Sequence, residues 1–303
     1  MALAPVVLFV YNRPEHTKQT VVSLQKNKIA AQSELFIYSD GSKNRDDKKA
    51  VDEVRNYLRT IKGFGKIKII ERKKNKGLAK SIISGTNEII NKYGKVIVLE
   101  DDLLLSNNFL SYMNDCLKFY QNDKRIFSIS GYSAASQIPL NYDKDIFLFY
   151  RINSWGWATW ADRWNNVDWE VGDFDTFIRN KKERRNFDRG GEDSTIMLLK
   201  QMQGKINSWA IRFNYACYKN NGLNIYPVRS KVFNAGTDGS GTHISKTTKY
   251  KTELNENDYV LSKDIHINRE IIDSYKKLLF TPSIFRKVIN YLKLRRALFS
   301  KKK

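Results

Sequence analysis

Residues 1–130 alternate between short apolar segments and longer segments whose apolar residues recur with a helical period. A strand that is apolar along its whole length is buried on both faces, and strands that alternate with helices form parallel sheets covered on both sides. The pattern therefore predicts an α/β fold with a mostly parallel sheet. The predicted strands are PVVLFVY, ELFIYSD, KIKIIER and KVIVLE, and the predicted helices are RPEHTKQTVVSLQKN, DDKKAVDEVRNYLRTI and GLAKSIISGTNEIINKY.

Three of the predicted strands end in polar residues: YNR at residues 11–13, SDGS at 39–42 and EDD at 100–102. Ligands of open parallel sheets bind outside the carboxyl ends of the strands, so we predict that these residues share one binding edge. The sequence has no G-x-G-x-x-G after the first strand and no G-x-x-x-x-G-K-[ST], which argues against a dinucleotide site and a P-loop. Adjacent carboxylates repel one another and are costly to desolvate, so the EDD triplet needs a physical reason.

The chain has 53 Lys and Arg residues against 32 Asp and Glu, and its net charge of +21 favours anionic partners such as phosphates, nucleic acid or an acidic membrane surface. Because the sequence shows no zinc-finger spacing, RNP aromatic motif or arginine-rich arm, we expect no nucleic-acid partner. Cys116 and Cys217 lack metal-site spacing, which indicates reduced, buried thiols. No apolar run reaches about 18 residues and no basic segment precedes the N-terminal strand, so we expect a cytoplasmic protein.

Beyond residue 130 the chain becomes aromatic, and five of its six tryptophans lie in NSWGWATWADRWNNVDWE. Most of these rings are expected to pack in a core. Trp155 and Trp157 differ, because Gly156 between them permits a close backbone approach. Since flat aromatic faces suit sugar rings, we predict that one of the two lines an acceptor pocket.

Two later segments combine glycines with acids or a histidine. In GGEDSTIMLLKQM, Glu192 and Asp193 precede an apolar helix, so they are placed to cap its N-terminus and favour its dipole. In NAGTDGSGTH, small residues surround Asp238 and lead to His243. A histidine after such a loop is more often structural or merely exposed. Only the other motifs of this chain suggest that His243 belongs to a site.

Together these segments resemble glycosyltransferases of the GT-A fold. The resemblance is strongest to the group related to N-acetylglucosaminyltransferase I, with bacterial family 2-like enzymes of polysaccharide assembly beside it. It covers about residues 5–245, and the order and spacing of the motifs carry it more than any single one. The motifs are NRPEHTKQTVVSLQ, LFIYSDGS, NKGLAKSI, VIVLEDDLLLSNNFLSYM, RINSWGWATW, GGEDS and the late His243.

The resemblance implies a Rossmann-like nucleotide-binding half merged with an acceptor-binding half, and a Mn²⁺ or Mg²⁺ ion that bridges the diphosphate of a nucleotide-sugar. Asp102 resembles the residue that binds the metal directly. Glu100 and Asp101 resemble residues that lie nearer the nucleoside ribose or that support the metal ligand without touching the metal. Because the motif is Glu-Asp-Asp rather than Asp-x-Asp, the acid that touches the metal is the open point. His243 resembles the residue that completes the metal shell when a loop with glycines 236, 239 and 241 closes.

The same resemblance assigns the remaining roles. Asp40 resembles the acid that accepts a hydrogen bond from the nucleoside base, and a uracil N–H would suit it. Arg13 and Lys80 lie where such enzymes contact base and phosphates. Asp193 resembles the general base of an inverting displacement, and Glu192 lies beside it in the expected acceptor site.

We predict a glycosyltransferase domain over residues 1–245, with the nucleotide-sugar half at about 1–130, the acceptor half at about 131–245, and a basic helical extension at 246–303. The segment SIFRKVINYLKLRRALFSKKK contains eight Lys or Arg residues and no acid. Its apolar residues lie roughly on one side of a helix, which fits peripheral binding to an anionic leaflet, although a solvated basic tail explains it equally.

Three functions remain open at this stage. The first is a metal-dependent inverting glycosyltransferase that moves a sugar from a UDP-sugar to a glycan or lipid-linked oligosaccharide of a surface polysaccharide. The second is a sugar nucleotidyltransferase, although such enzymes usually have a glycine-rich loop where this chain has YNRPEHT. The third is a non-catalytic carbohydrate- or nucleic-acid-binding protein, which leaves the grouping of Asp40, residues 100–102 and Asp193 without a reason.

Overall fold

The computed structural model describes residues 2–134, 138–238, 250 and 252–299. These residues form an eight-stranded mixed sheet with helices on both faces and a separate two-stranded ribbon, which confirms the predicted α/β class. The strands are β1 (Val6–Val10), β2 (Glu34–Ser39), β3 (Lys66–Glu71), β4 (Lys95–Glu100), β5 (Leu103–Leu105), β6 (Ile126–Ser130), β7 (Ile146–Phe149), β8 (Trp157–Trp160), β9 (Leu223–Pro227) and β10 (Val232–Asn234).

The helices follow the strands as predicted over the first part of the chain, and shorter helices fill the second part. They are α1 (Pro14–Gln25), α2 (Asp46–Leu58), α3 (Leu78–Tyr93), α4 (Phe109–Phe119), α5 (Ala161–Trp164), α6 (Phe174–Arg179), α7 (Lys181–Phe187), α8 (Ser194–Met202), α9 (Trp209–Lys219), α10 (Arg269–Tyr275) and α11 (Ile284–Phe299).

The first half of the sheet is parallel, in the order β3-β2-β1-β4. Alternate residues of the central strand β1 enter different cores: Val6 and Leu8 face α1, α2 and α4, whereas Val7 and Phe9 face α3 and α9. This two-sided burial is the reason that β1 is apolar at every position. Helix α3 ends at Tyr93 and is followed by Gly94, whose φ of 75° lies in the left-handed region that favours glycine after a helix.

The second half of the sheet is joined to the first through β8, which lies antiparallel between β4 and β6. Strand β9 runs parallel to β6, and β7 completes the sheet antiparallel to β9. The ribbon pairs β10 with β5, so that Asn234 lies opposite Leu103. The ribbon therefore brings the segment after β10 to the end of β4.

Residues beyond 250 pack on the body of the protein, where Ile265 joins the α1 side of the core and α10 covers β7 and β9 through Tyr275. The proposed boundary at residue 245 lies outside the described residues, and the predicted division into domains stays a prediction. Helix α11 lies against α8 and contributes Leu294 and Leu298 to a small apolar cluster there. In the described part of the chain, no helix has the length and apolar character needed to cross a membrane.

Candidate active site

The acidic triplet lies at the carboxyl end of β4, as predicted, and Arg13 lies across it. The guanidinium Nη2 of Arg13 donates to Asp101 and, at 2.9 Å, to Asp102. The backbone N–H of Tyr11 also donates to Asp101 at 3.3 Å. Both donors come from the YNR segment after β1, so the adjacency of β1 and β4 in the sheet brings them to the triplet.

The triplet carries more negative charge than one arginine can offset. Burial, followed by the charges of Asp102 and Asp101, raises the pKa of Glu100 to about 8, against an opposing effect of Arg13. Burial also raises the pKa of Asp101, although Arg13 acts in the opposite direction. The pKa of Arg13 is raised, because the two carboxylates outweigh the effect of its burial. An additional cation would therefore be stabilised here.

The donors suit a hard divalent cation, since all three are carboxylates. Within residues 2–134, 138–238 and 252–299, however, no three His, Cys, Asp or Glu side chains converge as a complete metal site. Such a site fits an ion that takes one or two protein carboxylates and completes its shell with substrate phosphates and water, as Mg²⁺ commonly does. A second observation agrees: Arg13 Nη1 is buried and lacks a hydrogen-bond partner in the described structure.

The segment after β10 is in close contact with Asp102. The N–H of Ala235 donates to the Asp102 carbonyl at 2.8 Å. A Cβ added to Gly236 would lie 2.2 Å from Asp102 Oδ2, so only glycine fits at this position without movement. His243 and glycines 239 and 241 lie outside the described residues, and their roles in metal binding and loop closure stay predictions.

Asp40 lies at the predicted edge but is already occupied by backbone donors. Its carboxylate accepts hydrogen bonds from the N–H groups of Gly41, Lys76 and Gly77, at 3.0 to 3.1 Å, and from Ser81 Oγ at 3.3 Å. Asp40 is only 7% exposed. The expected contact with a nucleoside base is therefore corrected: Asp40 fixes the turn that begins α3, because a carboxylate has about four acceptor sites and these donors fill them.

Lys80 is exposed in the first turn of α3, directly after the turn that Asp40 fixes. Asp40 contacts the residues on either side of this lysine, namely Gly77 and Ser81. The ammonium of Lys80 remains accessible to an anionic ligand. Its proposed contact with phosphates stays a prediction.

Asp193 precedes α8, where the sequence predicted a helix cap, but its side chain pairs with Arg151. Arg151 donates from Nη1 at 2.6 Å and from Nη2 at 3.3 Å to the two carboxylate oxygens. The arginine side chain is 13% exposed and that of Asp193 is 30% exposed, so the carboxylate keeps access to a ligand. Arg151 also lies over the ring of Phe280, 4.3 Å from its centre. Asp193 is thus the N-cap residue of α8 by position, but the prediction that its side chain caps the helix is wrong, because it makes no capping hydrogen bond.

Asp188 is the acid that caps α8, and the sequence did not single it out. Its Oδ1 accepts from the N–H of Thr195 at 2.8 Å. Burial raises the pKa of Asp188 to about 7, and the charge of Asp193 adds to that effect, while the hydrogen bonds from Thr195 and the charge of Arg151 oppose it. Arg151 was missed as well, because its partner lies 42 positions away in the sequence. Only the three-dimensional structure, in which the segment after β7 lies beside the start of α8, shows this pairing.

Glu192, expected in the acceptor site, forms an ion pair with Lys287 of α11 at 2.7 Å. Both side chains are well exposed, at 38% and 48% for the acid and the lysine. Such exposed pairs contribute little to stability. The contact places α11 beside the segment that carries Asp193.

The two tryptophans of the predicted acceptor pocket have different surroundings. Trp157 is 1% exposed and stacks between Trp164 and Trp209, with ring centres 5.4 and 4.9 Å away. Trp157 is therefore a core residue and offers no face to a sugar, which corrects its predicted role. Trp155 is half-buried and contacts Tyr250 edge to face at 5.2 Å.

A continuous series of contacts joins the acidic triplet to Asp193. The ribbon of β5 and β10 leads from Asp102 to Val232, which lies against Gly156. Trp155 beside this glycine contacts Tyr250, and Tyr250 is close enough to Asp193 and Arg151 for both to affect its pKa. The two sets of acids predicted from the sequence therefore belong to one connected region.

The solved structures that resemble this chain do so weakly. The mannosyltransferase PcManGT from Pyrobaculum calidifontis, in complex with GDP-Man and Mn²⁺, has a TM-score of 0.39 and 12% identity, with 53% of this chain and 45% of that chain covered. UDP-glucose pyrophosphorylase complexed with UDP-glucose has a TM-score of 0.39 and 12% identity, with coverages of 77% and 94%. S. aureus TarS has a TM-score of 0.39 and 11% identity, with coverages of 78% and 37%.

A curated relative is the alpha-1,3-mannosyl-glycoprotein 2-beta-N-acetylglucosaminyltransferase of Arabidopsis thaliana, which is 22% identical over 199 residues. The match covers 61% of this chain and 44% of the relative, so the chain spans less than half of that protein. The family model described as GNT-I family matches residues 1–190. This match covers the acidic triplet and ends just before Glu192 and Asp193, and it confirms the resemblance read from the motifs. Because it extends over more than half of the sequence, the chain belongs to the GNT-I family.

Proposed function

We propose that this protein is a metal-dependent, inverting glycosyltransferase that moves a sugar from a UDP-sugar to a hydroxyl group of a glycan or lipid-linked oligosaccharide. The observation that carries the proposal combines two features of this GNT-I family chain. The acidic triplet has more negative charge than Arg13 offsets, and the accessible carboxylate of Asp193 lies in the same connected region. A binding protein would leave both sets of acids without a role, and a nucleotidyltransferase usually has a glycine-rich loop where this chain has YNRPEHT.

The donor would bind at the edge formed by β1, β2 and β4. Asp102 would hold a Mn²⁺ or Mg²⁺ ion, which when bound would offset the charge that develops on the departing diphosphate. Arg13 carries a buried N–H without a partner among the described residues, and a phosphate oxygen would satisfy it. Lys80 adds an accessible positive charge at the same edge.

Asp193 would act as the general base. In the proposed reaction the acceptor oxygen bonds to the anomeric carbon while the bond from that carbon to the diphosphate oxygen breaks. The nucleoside diphosphate leaves with the electron pair, and the hydroxyl proton passes to the Asp193 carboxylate. Arg151 donates to both oxygens of Asp193 and so orients the carboxylate.

The test is calorimetric binding of UDP with and without Mn²⁺. We expect Asp102→Asn to abolish the Mn²⁺-dependent part of UDP binding and to leave the fold unchanged by circular dichroism. Asp46→Asn is the matched control, because Asp46 is an exposed acid at the start of α2. Unchanged affinity and unchanged metal dependence in Asp102→Asn would contradict the proposed donor site.

We also propose that α11 binds an anionic membrane surface and brings the enzyme to a lipid-linked acceptor of a surface polysaccharide. The side of α11 that faces away from α8 exposes large apolar residues, namely Ile284, Phe285, Val288, Tyr291, Leu292 and Phe299. Basic residues interleave with them, which is typical of helices that lie in a membrane interface. Deletion of residues 283–303 is expected to lower binding to anionic vesicles, and equal binding would remove this part of the proposal.

A further inference from the structure

A cavity of about 260 Å³ lies between α8, the segment after α10 and α11. Asp193 lies in its wall, together with Lys200 from α8 and Arg286 and Asn290 from α11. The rest of the wall is apolar except for Thr281, and it includes Phe280. The cavity thus combines the proposed general base, two cations and an apolar surface.

The positive charges around this cavity are only partly offset by neighbouring acids. Asp193, the carboxylate in the wall, is engaged by both Nη atoms of Arg151. Glu192, the adjacent acid, is engaged by Lys287. Within the part of the chain that the structure describes, Lys200, Arg286 and Lys293 form no ion pair with an acid at 4.0 Å or less, whereas the neighbouring Lys287 and Arg151 each do.

Lys200 is also repelled by the other two cations. Burial, followed by the charges of Lys293 and Arg286, lowers the pKa of the Lys200 amine, and Asp193 opposes this only in part. The three side chains come from two helices, so the grouping is a consequence of how α11 packs on α8. Their mutual repulsion is unfavourable in the free protein, and a bound anion would relieve it.

We infer that this cavity is an acceptor subsite that binds a phosphate group, so that the acceptor is a phosphorylated or diphosphate-linked sugar. A phosphate offers oxygens to both Lys200 and Arg286, and charge-assisted hydrogen bonds to phosphate are stronger than neutral ones. The apolar wall accommodates the sugar or chain that the phosphate carries. The inference rests on the proposed function, because it places the phosphate beside the base that would deprotonate the acceptor hydroxyl.

The experiment measures binding of three probes in the presence of UDP and Mn²⁺: N-acetylglucosamine, its 1-phosphate, and a short-chain polyprenyl diphosphate-linked N-acetylglucosamine. We expect the 1-phosphate to bind the full chain at least about tenfold more tightly than the free sugar. Lys200→Gln combined with Arg286→Gln is expected to remove that difference. Arg295→Gln is the matched control, because Arg295 is an exposed cation of the same helix.

The possible results are distinct. Equal binding of the lipid-linked probe and the 1-phosphate supports the site and assigns the affinity to the phosphate, whereas tighter lipid-linked binding that the double variant weakens assigns part of it to the lipid. Equal affinity for free sugar and 1-phosphate overturns the inference, as does phosphate binding that the double variant retains. Binding of UDP with Mn²⁺ to the unaltered protein is measured in a separate experiment. If UDP does not bind there, the proposed function is refuted, and the phosphate subsite is not.

Discussion

Replacing Asp193 with Asn tests the ion pair and the proposed mechanism together. Asn keeps the size of the side chain and one carbonyl oxygen, so it retains an acceptor for one Nη atom of Arg151. It removes the negative charge and the second acceptor. Arg151, with a side chain only 13% exposed, then keeps a charge without a carboxylate partner.

The expected cost follows from the burial of the pair. Exposed pairs contribute about 0 to 1 kcal/mol, whereas removing one partner from a fully buried pair costs about 3 to 5 kcal/mol. Here one side chain is 13% and the other 30% exposed, and the hydrogen bonds are 2.6 and 3.3 Å long, which places this pair between the two cases. We expect Asp193→Asn to lower the free energy of unfolding by about 2 kcal/mol.

Urea unfolding and steady-state kinetics provide the two measurements. The variant should lose at least about a hundredfold in kcat, because general-base catalysis is typically worth about 10² to 10⁴. UDP-sugar affinity should change little. Glu192→Gln is the control for stability, since its partner Lys287 is 48% exposed and the loss should stay below about 1 kcal/mol. If Asp193→Asn unfolds like the wild type, or if the product retains the donor's anomeric configuration, the reasoning is refuted.

Three further changes test other parts of the structure. The pKa of Asp188 in the folded protein is raised to about 7, so its contribution to stability is present in acid and is lost as pH rises through 7. The stability gained by Asp188→Asn, measured by urea unfolding, should therefore grow by about 2 kcal/mol between pH 5 and pH 8. Gly236→Ala adds a methyl group against Asp102 and should weaken Mn²⁺-dependent UDP binding in calorimetry, whereas unchanged binding would show that the segment moves away. Trp157→Ala should cost about 3 to 5 kcal/mol of stability, and Trp155→Ala clearly less; equal losses would contradict the burial of Trp157.

The sequence predicted the parallel half of the sheet well, because β1, β2 and β4 are buried on both faces and the intervening helices are amphipathic. It also predicted the position of the acidic triplet. It failed where a side chain has a partner far along the chain. Asp40 meets backbone donors at residues 76 and 77, and Asp193 meets Arg151, and neither pairing has a local signature.

The aromatic segment shows a similar limit. Its composition indicated both a core and a sugar platform, and the choice for each ring depended on strand alternation in β8. Trp157 points into the core beside α9, whereas Trp155 lies before the strand begins. That boundary could not be read from a segment in which five tryptophans follow one another at spacings of two to five residues.

The position of β8 has a consequence for the protein during its synthesis. Strand β4 is complete at Glu100, but in the described sheet its second edge is covered only by Trp157–Trp160. Bacterial and eukaryotic ribosomes add about 5 to 20 residues per second, so the apolar edge of β4 stays unpaired for roughly 3 to 11 seconds after it emerges. An open apolar edge strand can pair with other chains. Aggregation of nascent chains is therefore expected to depend on translation speed between β4 and β8.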